Sequence, residues 1–219
     1  MQSIEKLLRR LRESPGGNVF NPWYDRDPDH DADDRAPKCR RENLAAYLQA
    51  RVSRARFLFV AEAVGFRGGK FSGIAMTCER QLPATDLPHH RTSVPTLPLS
   101  GADQLQGVLE PTAMIVARTM AASGVDPHDV VLWNTFAWHP HQPGNRLTNR
   151  TPTPAEVQHG LPVLHAMLEL CSTAKLIAIG KTCQRAMTDI THVCPPAVRH
   201  PANGGATEFA RGVREILMR

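Results

Sequence analysis

The stretch from Arg56 to Gly73 constrains the fold of this chain most strongly. It begins with an apolar run, Phe57 to Ala61, whose length and whose aromatic and β-branched residues are typical of a buried strand. A loop with four glycines follows, and one acid, Glu62, lies between strand and loop. Open α/β sheets bind ligands at the carboxyl ends of their strands, and burying an unpaired acid is costly. Glu62 therefore indicates a functional site.

Strand and helix segments alternate along the chain. Hydrophobic periodicity predicts strands at 57–61, 130–134, 175–180 and 194–199, and helices at 2–13, 43–52, 111–123, 155–170, 181–190 and 207–217. Such alternation is typical of a parallel sheet that is covered by helices on both faces. We therefore predict a three-layer α/β/α fold and one domain over residues 1–219, in which residues 1–54 pack on an α/β core at 55–219.

Composition narrows the class of protein. The 219 residues suffice for one domain with a sizeable core, and the net charge of +5 is a weak indication of nucleic-acid binding. No apolar run reaches the length that spans a membrane, and the start reads as a charged amphipathic helix, so we expect a cytoplasmic protein. None of the five cysteines forms a C-x-x-C pair, which argues against a zinc ribbon or an iron–sulfur framework.

Two polar segments flank the first strand. Residues 18–39 contain Asp25, Asp27 and Asp29 at the spacing of a calcium loop, but His30 takes the glycine position and Ala36 the position of the bidentate acid. A solvated loop is the better interpretation. Residues 82–101 are rich in proline, threonine and histidine, which predicts an extended surface loop.

Polar residues follow three of the predicted strands: Glu62, Asn134 and His200. In a parallel sheet these strand ends meet at one edge, so we expect the three side chains to converge. An amide and a histidine suit the edge of a planar polar ring, and Phe71 could stack on its face. The set fits the cleavage of a base from a sugar. A Walker-type phosphate loop fits less well, because Val64 and Phe71 replace its first glycine and its hydroxyl residue.

Four motifs carry a resemblance to the uracil-DNA glycosylase superfamily. Residues 61–65, Ala-Glu-Ala-Val-Gly, resemble the Gly-Glu-Ala-Pro-Gly motif of its thermostable bacterial and archaeal branch, and residues 70–73, Lys-Phe-Ser-Gly, resemble its Pro-Phe-Val/Ser-Gly stretch. Asn134, with the segments 143–146 and 151–154 after it, resembles the uracil-recognition region. Residues 199–201, Arg-His-Pro, resemble the second catalytic motif. The motifs keep the family's order over about residues 55–217.

The resemblance implies a four-stranded parallel sheet of order 2-1-3-4 and a flipped base held at the strand ends. It implies that Glu62 activates or orients water and that His200 stabilises the departing uracil anion. It further implies that Phe71 stacks on the base, that Asn134 reads its edge, and that Ala63 and Gly65 line the pocket. DNA would be the partner of a monofunctional, monomeric enzyme. The residues expected to contact DNA are Arg67, Lys70, Arg146, Arg150, Asn203 and Gly204.

The sequence departs from the family pattern at several positions. Ala61 and Val64 replace the usual glycine and proline, and the iron–sulfur cysteines of the branch are not matched, so we predict no cluster and no other cofactor. Residues 202–206 contain no large side chain to wedge into a duplex. Two alternatives therefore stay open: a nucleic-acid-binding member of the superfamily with little or no base excision, and a hydrolase of free nucleosides.

Overall fold

The computed structural model describes residues 2–95, 97 and 107–218. The strands are β1 (Val19–Phe20), β2 (Phe57–Ala63), β3 (Val130–Phe136), β4 (His139–Pro140), β5 (Lys175–Ile179) and β6 (Ala197–Val198). The helices are α1 (Gln2–Arg10), α2 (Ala36–Gln49), α3 (Gly69–Ser72), α4 (Pro111–Ala122), α5 (Pro154–Leu170), α6 (Lys181–Thr191) and α7 (Ala206–Leu217). Short 3-10 turns occupy Glu79–Ala84 and Pro127–Asp129.

A parallel sheet of order β3-β2-β5-β6 forms the centre of the fold. Counted along the chain within this sheet, the order is 2-1-3-4, which confirms the predicted topology. Most helices begin and end close to their predicted bounds. The exception is α2, which begins at Ala36 instead of residue 43, because Pro37 in its first turn has a backbone suited to a helix start.

Apolar side chains cover the sheet on both faces. Leu58 and Val60 of β2 belong to a large cluster that also includes residues of α1, α5 and α6. Phe57, Phe59 and Ala61 belong to a second cluster with residues of α4 and α7. This alternation along β2 confirms the predicted three-layer α/β/α architecture. None of the described helices has the length and apolar character needed to cross a bilayer.

The segment that precedes α2 is partly buried, which corrects the prediction that it is a solvated loop throughout. Asp27 and Asp31 are 0% and 3% exposed. The Asp27 carboxylate lies 2.8 Å from Lys70 Nζ, and Asp31 accepts two hydrogen bonds from Arg40 at 2.6 and 3.0 Å. Strand β1 pairs with β4 beside these ion pairs. Sequence patterns missed this burial, because the cation that pairs with Asp27 lies 43 positions away and Arg40, nine positions from Asp31, is brought back against it by the start of α2.

The segment from residue 82 to 101 is also less exposed than predicted. Its described part includes the buried residues Thr92 and Ser93, while residues 96 and 98–101 lie outside the described residues. The carboxylate of Glu79 accepts hydrogen bonds from the backbone N–H groups of Thr92, Ser93 and Val108, at 2.6 to 3.1 Å. A buried acid therefore holds Thr92 and Ser93 of this segment, and Val108 beyond it, against the core.

Candidate functional site

The carboxyl ends of the parallel strands meet at one edge of the sheet, as predicted, but two of the expected side chains do not converge there. The register pairs Ala61 of β2 with Asn134 of β3, so Glu62 lies beside Thr135. Because successive side chains of a strand alternate between faces, Glu62 and Asn134 leave the sheet on opposite sides. The expectation that both side chains face one pocket is therefore wrong in this register.

Asn134 lies on the side of the sheet that α4 and α7 cover, and its side chain is 3% exposed. Its Oδ1 atom is buried and has no hydrogen-bond partner. Within the described part of the chain, the other such side-chain atom is Nε1 of Trp133, which is packed with Trp23 on the opposite face. Buried polar atoms are normally paired, so Asn134 has an acceptor available for a donor that the described residues do not supply.

Glu62 is half-buried on the side of the sheet covered by α6. Burial raises the pKa of its carboxyl group, and no described residue forms a hydrogen bond or an ion pair with it. The Cys183 thiol of α6 lies nearby; it is 3.3 Å from the Thr135 hydroxyl and donates to the Val60 carbonyl. A half-buried carboxylate without a cation is a stronger base than an exposed one, and it would be available to water or to a cationic centre.

His200 follows the short strand β6 and lies against the end of β5. A Cβ atom on Gly180 would be 3.6 Å from the His200 Cβ. Burial, followed by the charge of Arg199, lowers the pKa of His200, so its ring is neutral at neutral pH. Its Nδ1 atom accepts a hydrogen bond from the Ala202 N–H at 3.2 Å. The proton of the neutral ring must then be on Nε2, which makes this atom a donor.

Phe71 is fully buried, and its ring is not open to a base. Lys70 Nζ lies 3.9 Å from the ring centroid, and Leu97 and Val108 pack against it. Met76, which was not identified from the sequence, is half-buried near this edge of the sheet. It packs against the cluster that contains Ala61, the neighbour of Asn134, and its backbone is left-handed, with φ 50°. Residues other than glycine with a left-handed backbone cluster at active sites and ligand-binding sites.

The predicted pocket residues Ala63, the last residue of β2, and Gly65, in the loop that follows, are both half-buried. The N–H of Phe66 donates to Asn149 Oδ1 at 2.9 Å, which ties this loop to the segment after β4. Glu110, whose carboxyl group packs against the same loop, was not identified from the sequence. The signal available in the sequence was an acid placed directly before the proline that starts a helix.

Two of the predicted DNA contacts are engaged within the protein. Lys70 is fully buried in its ion pair with Asp27, so it is not available to a phosphate, which corrects the expectation. The Arg150 guanidinium donates to both carboxylate oxygens of Glu156 at 2.6 and 2.7 Å and fixes the start of α5. The family motif around residue 70 gave no sign of this burial, because Asp27 lies 43 positions earlier.

The remaining predicted DNA contacts reach the surface. Arg67 is half-buried with its guanidinium over the Phe66 ring. Arg146 is 40% exposed, although one of its guanidinium nitrogens lies 3.4 Å from Asp27 Oδ1. Asn203 and Gly204 are exposed and have left-handed backbones with φ 54° and 77°; Gly205 separates them from α7. Backbone N–H groups at a helix start favour anions, so this turn is suited to a phosphate.

A separate cleft of about 370 Å³ lies between the segment before α2 and the loop after β4. Its lining includes His30, His141 and Arg146, but none of Glu62, Asn134 and His200. In the described ranges, no three histidine, cysteine or acidic side chains are arranged to hold a metal ion. The five cysteines are free and dispersed, so they do not fit the iron–sulfur cluster of the thermostable branch.

Comparisons with known proteins agree with this architecture. The crystal structure of wild-type SMUG2 from Pedobacter heparinus is similar to this chain, with a TM-score of 0.64 and 10% sequence identity over 99% of this chain and 97% of the other. No curated protein matches the sequence. The model of the uracil DNA glycosylase superfamily matches residues 40–216, which include Glu62, Asn134 and His200. This chain therefore belongs to the uracil DNA glycosylase superfamily.

Proposed function

We propose that this protein is a monofunctional DNA glycosylase that hydrolyses the bond between deoxyribose and a flipped-out uracil or related deaminated base. Membership of the superfamily supports a glycosylase-like activity with DNA as the partner. The observation that carries the proposal is the buried, unpaired Oδ1 atom of Asn134. Uracil presents an N–H donor next to a carbonyl acceptor, and an asparagine amide pairs with both.

The leaving group of this reaction is a uracil anion. His200, neutral and protonated on Nε2, would donate a hydrogen bond to the base oxygen on which negative charge develops. The neutral ring keeps its Nε2 proton throughout. The hydrogen bond from Nε2 becomes stronger as negative charge develops on the base oxygen, so it stabilises the transition state. This supports the role that the family resemblance implies for His200.

Glu62 would act on the sugar. As an anion it would stabilise the cationic character of the sugar in the transition state, and it would orient the water that attacks C1′. Since Glu62 and Asn134 are on opposite faces of the sheet, the nucleotide would lie across the end of β2. Its base would be on the side of Asn134 and its sugar on the side of Glu62.

An alkali-cleavage assay on labelled oligonucleotides tests this proposal. Uracil opposite guanine, opposite adenine and in single strands would be compared with hypoxanthine, thymine and cytosine. We expect strand scission that depends on a deaminated base. Asn134→Leu should lower kcat/KM for uracil by about a hundredfold, because two hydrogen bonds to the base are lost. The matched control is Gln158→Leu on the exposed surface of α5, which should retain wild-type activity. An Asn134→Leu enzyme with unchanged rate and base preference would refute the role of Asn134 in recognising the base.

The buried ring of Phe71 favours one alternative, a superfamily member that binds nucleic acid without excising a base. This protein would lack the expected stacking surface. Salt-sensitive DNA binding, with no abasic product from any of the substrates above, would identify it.

A further inference from the structure

Glu110 is a second acid at the edge of the sheet where Asn134 lies. It directly precedes α4, the helix that connects the parallel neighbours β2 and β3. Such a crossover helix runs back against the strand direction, so its first residue lies at the carboxyl ends of the strands. Val116 of the same helix packs in the cluster with Phe59 and Ala61. Glu110 is therefore on the Asn134 side of this edge.

The carboxyl group of Glu110 packs directly on the glycine loop that follows β2. Its Oε2 atom is 2.5 Å from the position that a Cβ atom on Gly68 would occupy, and its Oε1 atom is 3.8 Å from the corresponding position on Gly65. Asn149 Nδ2 lies 4.0 Å from this same position on Gly65. The approach to Gly68 is possible because that residue has no side chain.

The surroundings of Glu110 contain little that would keep it ionised. Within the described ranges it has no hydrogen bond or ion pair through its carboxyl group. The titratable and charged groups that face it are the Arg67 guanidinium and the Cys78 thiol. Burial raises the pKa of Glu110, and although Arg67 opposes this rise, the pKa reaches about 7. Near neutral pH a large fraction of the carboxyl groups therefore carries a proton that it can donate.

We propose that Glu110 contacts the flipped base and selects deaminated bases by donating a hydrogen bond to a carbonyl oxygen. The proposal rests on the proposed function. Deamination replaces an exocyclic amino group with a carbonyl group, so the undeaminated base would place a donor against the donor of Glu110. A site built in this way rejects cytosine or adenine by leaving buried polar groups unpaired.

Binding to non-cleavable DNA tests this selection apart from catalysis. The probes are fluorescent oligonucleotides with one 2′-fluorinated deoxyuridine or deoxycytidine, and the readout is the ratio of their dissociation constants by anisotropy. We expect the wild type to prefer uracil, and Glu110→Ala to reduce that preference by about tenfold, as for the loss of one hydrogen bond. Gly68→Ala should have the same effect, because its Cβ displaces the Glu110 carboxyl group while Glu110 itself is kept.

Two further variants separate donation from packing. Glu110→Gln keeps a donor that does not titrate, so its preference for uracil should stay constant from about pH 6 to about pH 8, whereas that of the wild type should fall. Glu208→Ala, an exposed acid on α7, should behave as the wild type. The proposal is refuted if Glu110→Ala keeps the full preference, or if wild type and Glu110→Gln share one pH dependence. If the wild type itself does not prefer uracil, the proposed function fails together with this inference.

Discussion

Lys70→Met should destabilise the protein without weakening its contacts with DNA phosphates. Both partners of the Lys70–Asp27 ion pair are 0% exposed, and their charged atoms are 2.8 Å apart. Burial lowers the pKa of Lys70, against the attraction of Asp27. Burial would also raise the pKa of Asp27, but Lys70 and His30 oppose this rise and lower it from 3.8 to about 2. The Asp27 carboxylate is therefore ionised at neutral pH.

The loss of stability expected for Lys70→Met follows from the pKa of Asp27. Because the folded-state pKa of Asp27 lies below its ordinary value, ionised Asp27 stabilises the fold above about pH 4, and this contribution is lost as the pH falls through about 2. The difference between 3.8 and about 2 corresponds to about 2.5 kcal/mol. Among the described side chains, removing Lys70 leaves the buried Asp27 carboxylate with His30 and the more distant Arg146 as its cationic partners. We therefore expect a loss of about 3 kcal/mol, typical of breaking a buried ion pair.

Urea unfolding at pH 7 measures this loss, and the salt dependence of DNA binding measures the alternative role. Lys38→Met, on the exposed face of α2, is the control and should change the free energy of unfolding by less than about 0.5 kcal/mol. Asp27→Asn should recover part of the stability of the Lys70→Met protein, because it removes the unpaired buried charge. The salt slope is the slope of the logarithm of the DNA-binding constant against the logarithm of the salt concentration. If Lys70→Met lowered the free energy of unfolding by less than about 1 kcal/mol and reduced the magnitude of the salt slope by about one, Lys70 would be the phosphate contact that the sequence predicts.

Three further predictions concern the site and the loops. Glu62→Gln and His200→Ala should each lower turnover by at least about a hundredfold with little change in DNA binding, measured by single-turnover kinetics and anisotropy; near-wild-type rates in both would remove this site from the reaction. Arg67→Ala should reduce the salt slope of DNA binding by about one, whereas Arg150→Ala should leave it unchanged, since Glu156 already occupies that guanidinium; equal slopes for the two variants would contradict this assignment. Gly73→Ala should lower the free energy of unfolding in urea by more than about 3 kcal/mol, because φ is 76° and the new Cβ would be 2.6 Å from the Arg40 carbonyl oxygen. Gly144→Ala, with φ 70° and open space around the new Cβ, should lower it by about 1 kcal/mol. Equal losses would show that the backbone conformation, and not the close approach of Arg40, determines the cost.

The sequence was sufficient for the architecture because its signals are local. The apolar runs at β2, β3 and β5, together with the helical periodicity between them, predict alternating strands and helices. Parallel strands then bring residues 62 and 134 to one edge, whatever the details of packing. The strand order came from the family resemblance, and hydrophobic patterning alone does not fix it.

The sequence could not determine which groups face the substrate. The pairing of Ala61 with Asn134, which puts Glu62 on the other face, is a property of two strands about 70 positions apart. The sequence predicted that Lys70 is a surface cation, but the fold places Asp27 against it. The sequence also predicted that Phe71 stacks on the base, but Leu97 and Val108 pack against its ring. Each of these outcomes depends on a contact between distant segments, which local patterns do not encode.

The sequence by itself therefore determined the fold class, the strand ends that carry Glu62, Asn134 and His200, and the superfamily. The tertiary structure alone decided the direction of each side chain, the burial of Lys70 and Phe71, and the presence of Glu110 at the glycine loop. The physical reason is that secondary structure follows from short-range periodicity. The chemistry of a site, in contrast, depends on desolvation and on partners that only long-range packing supplies.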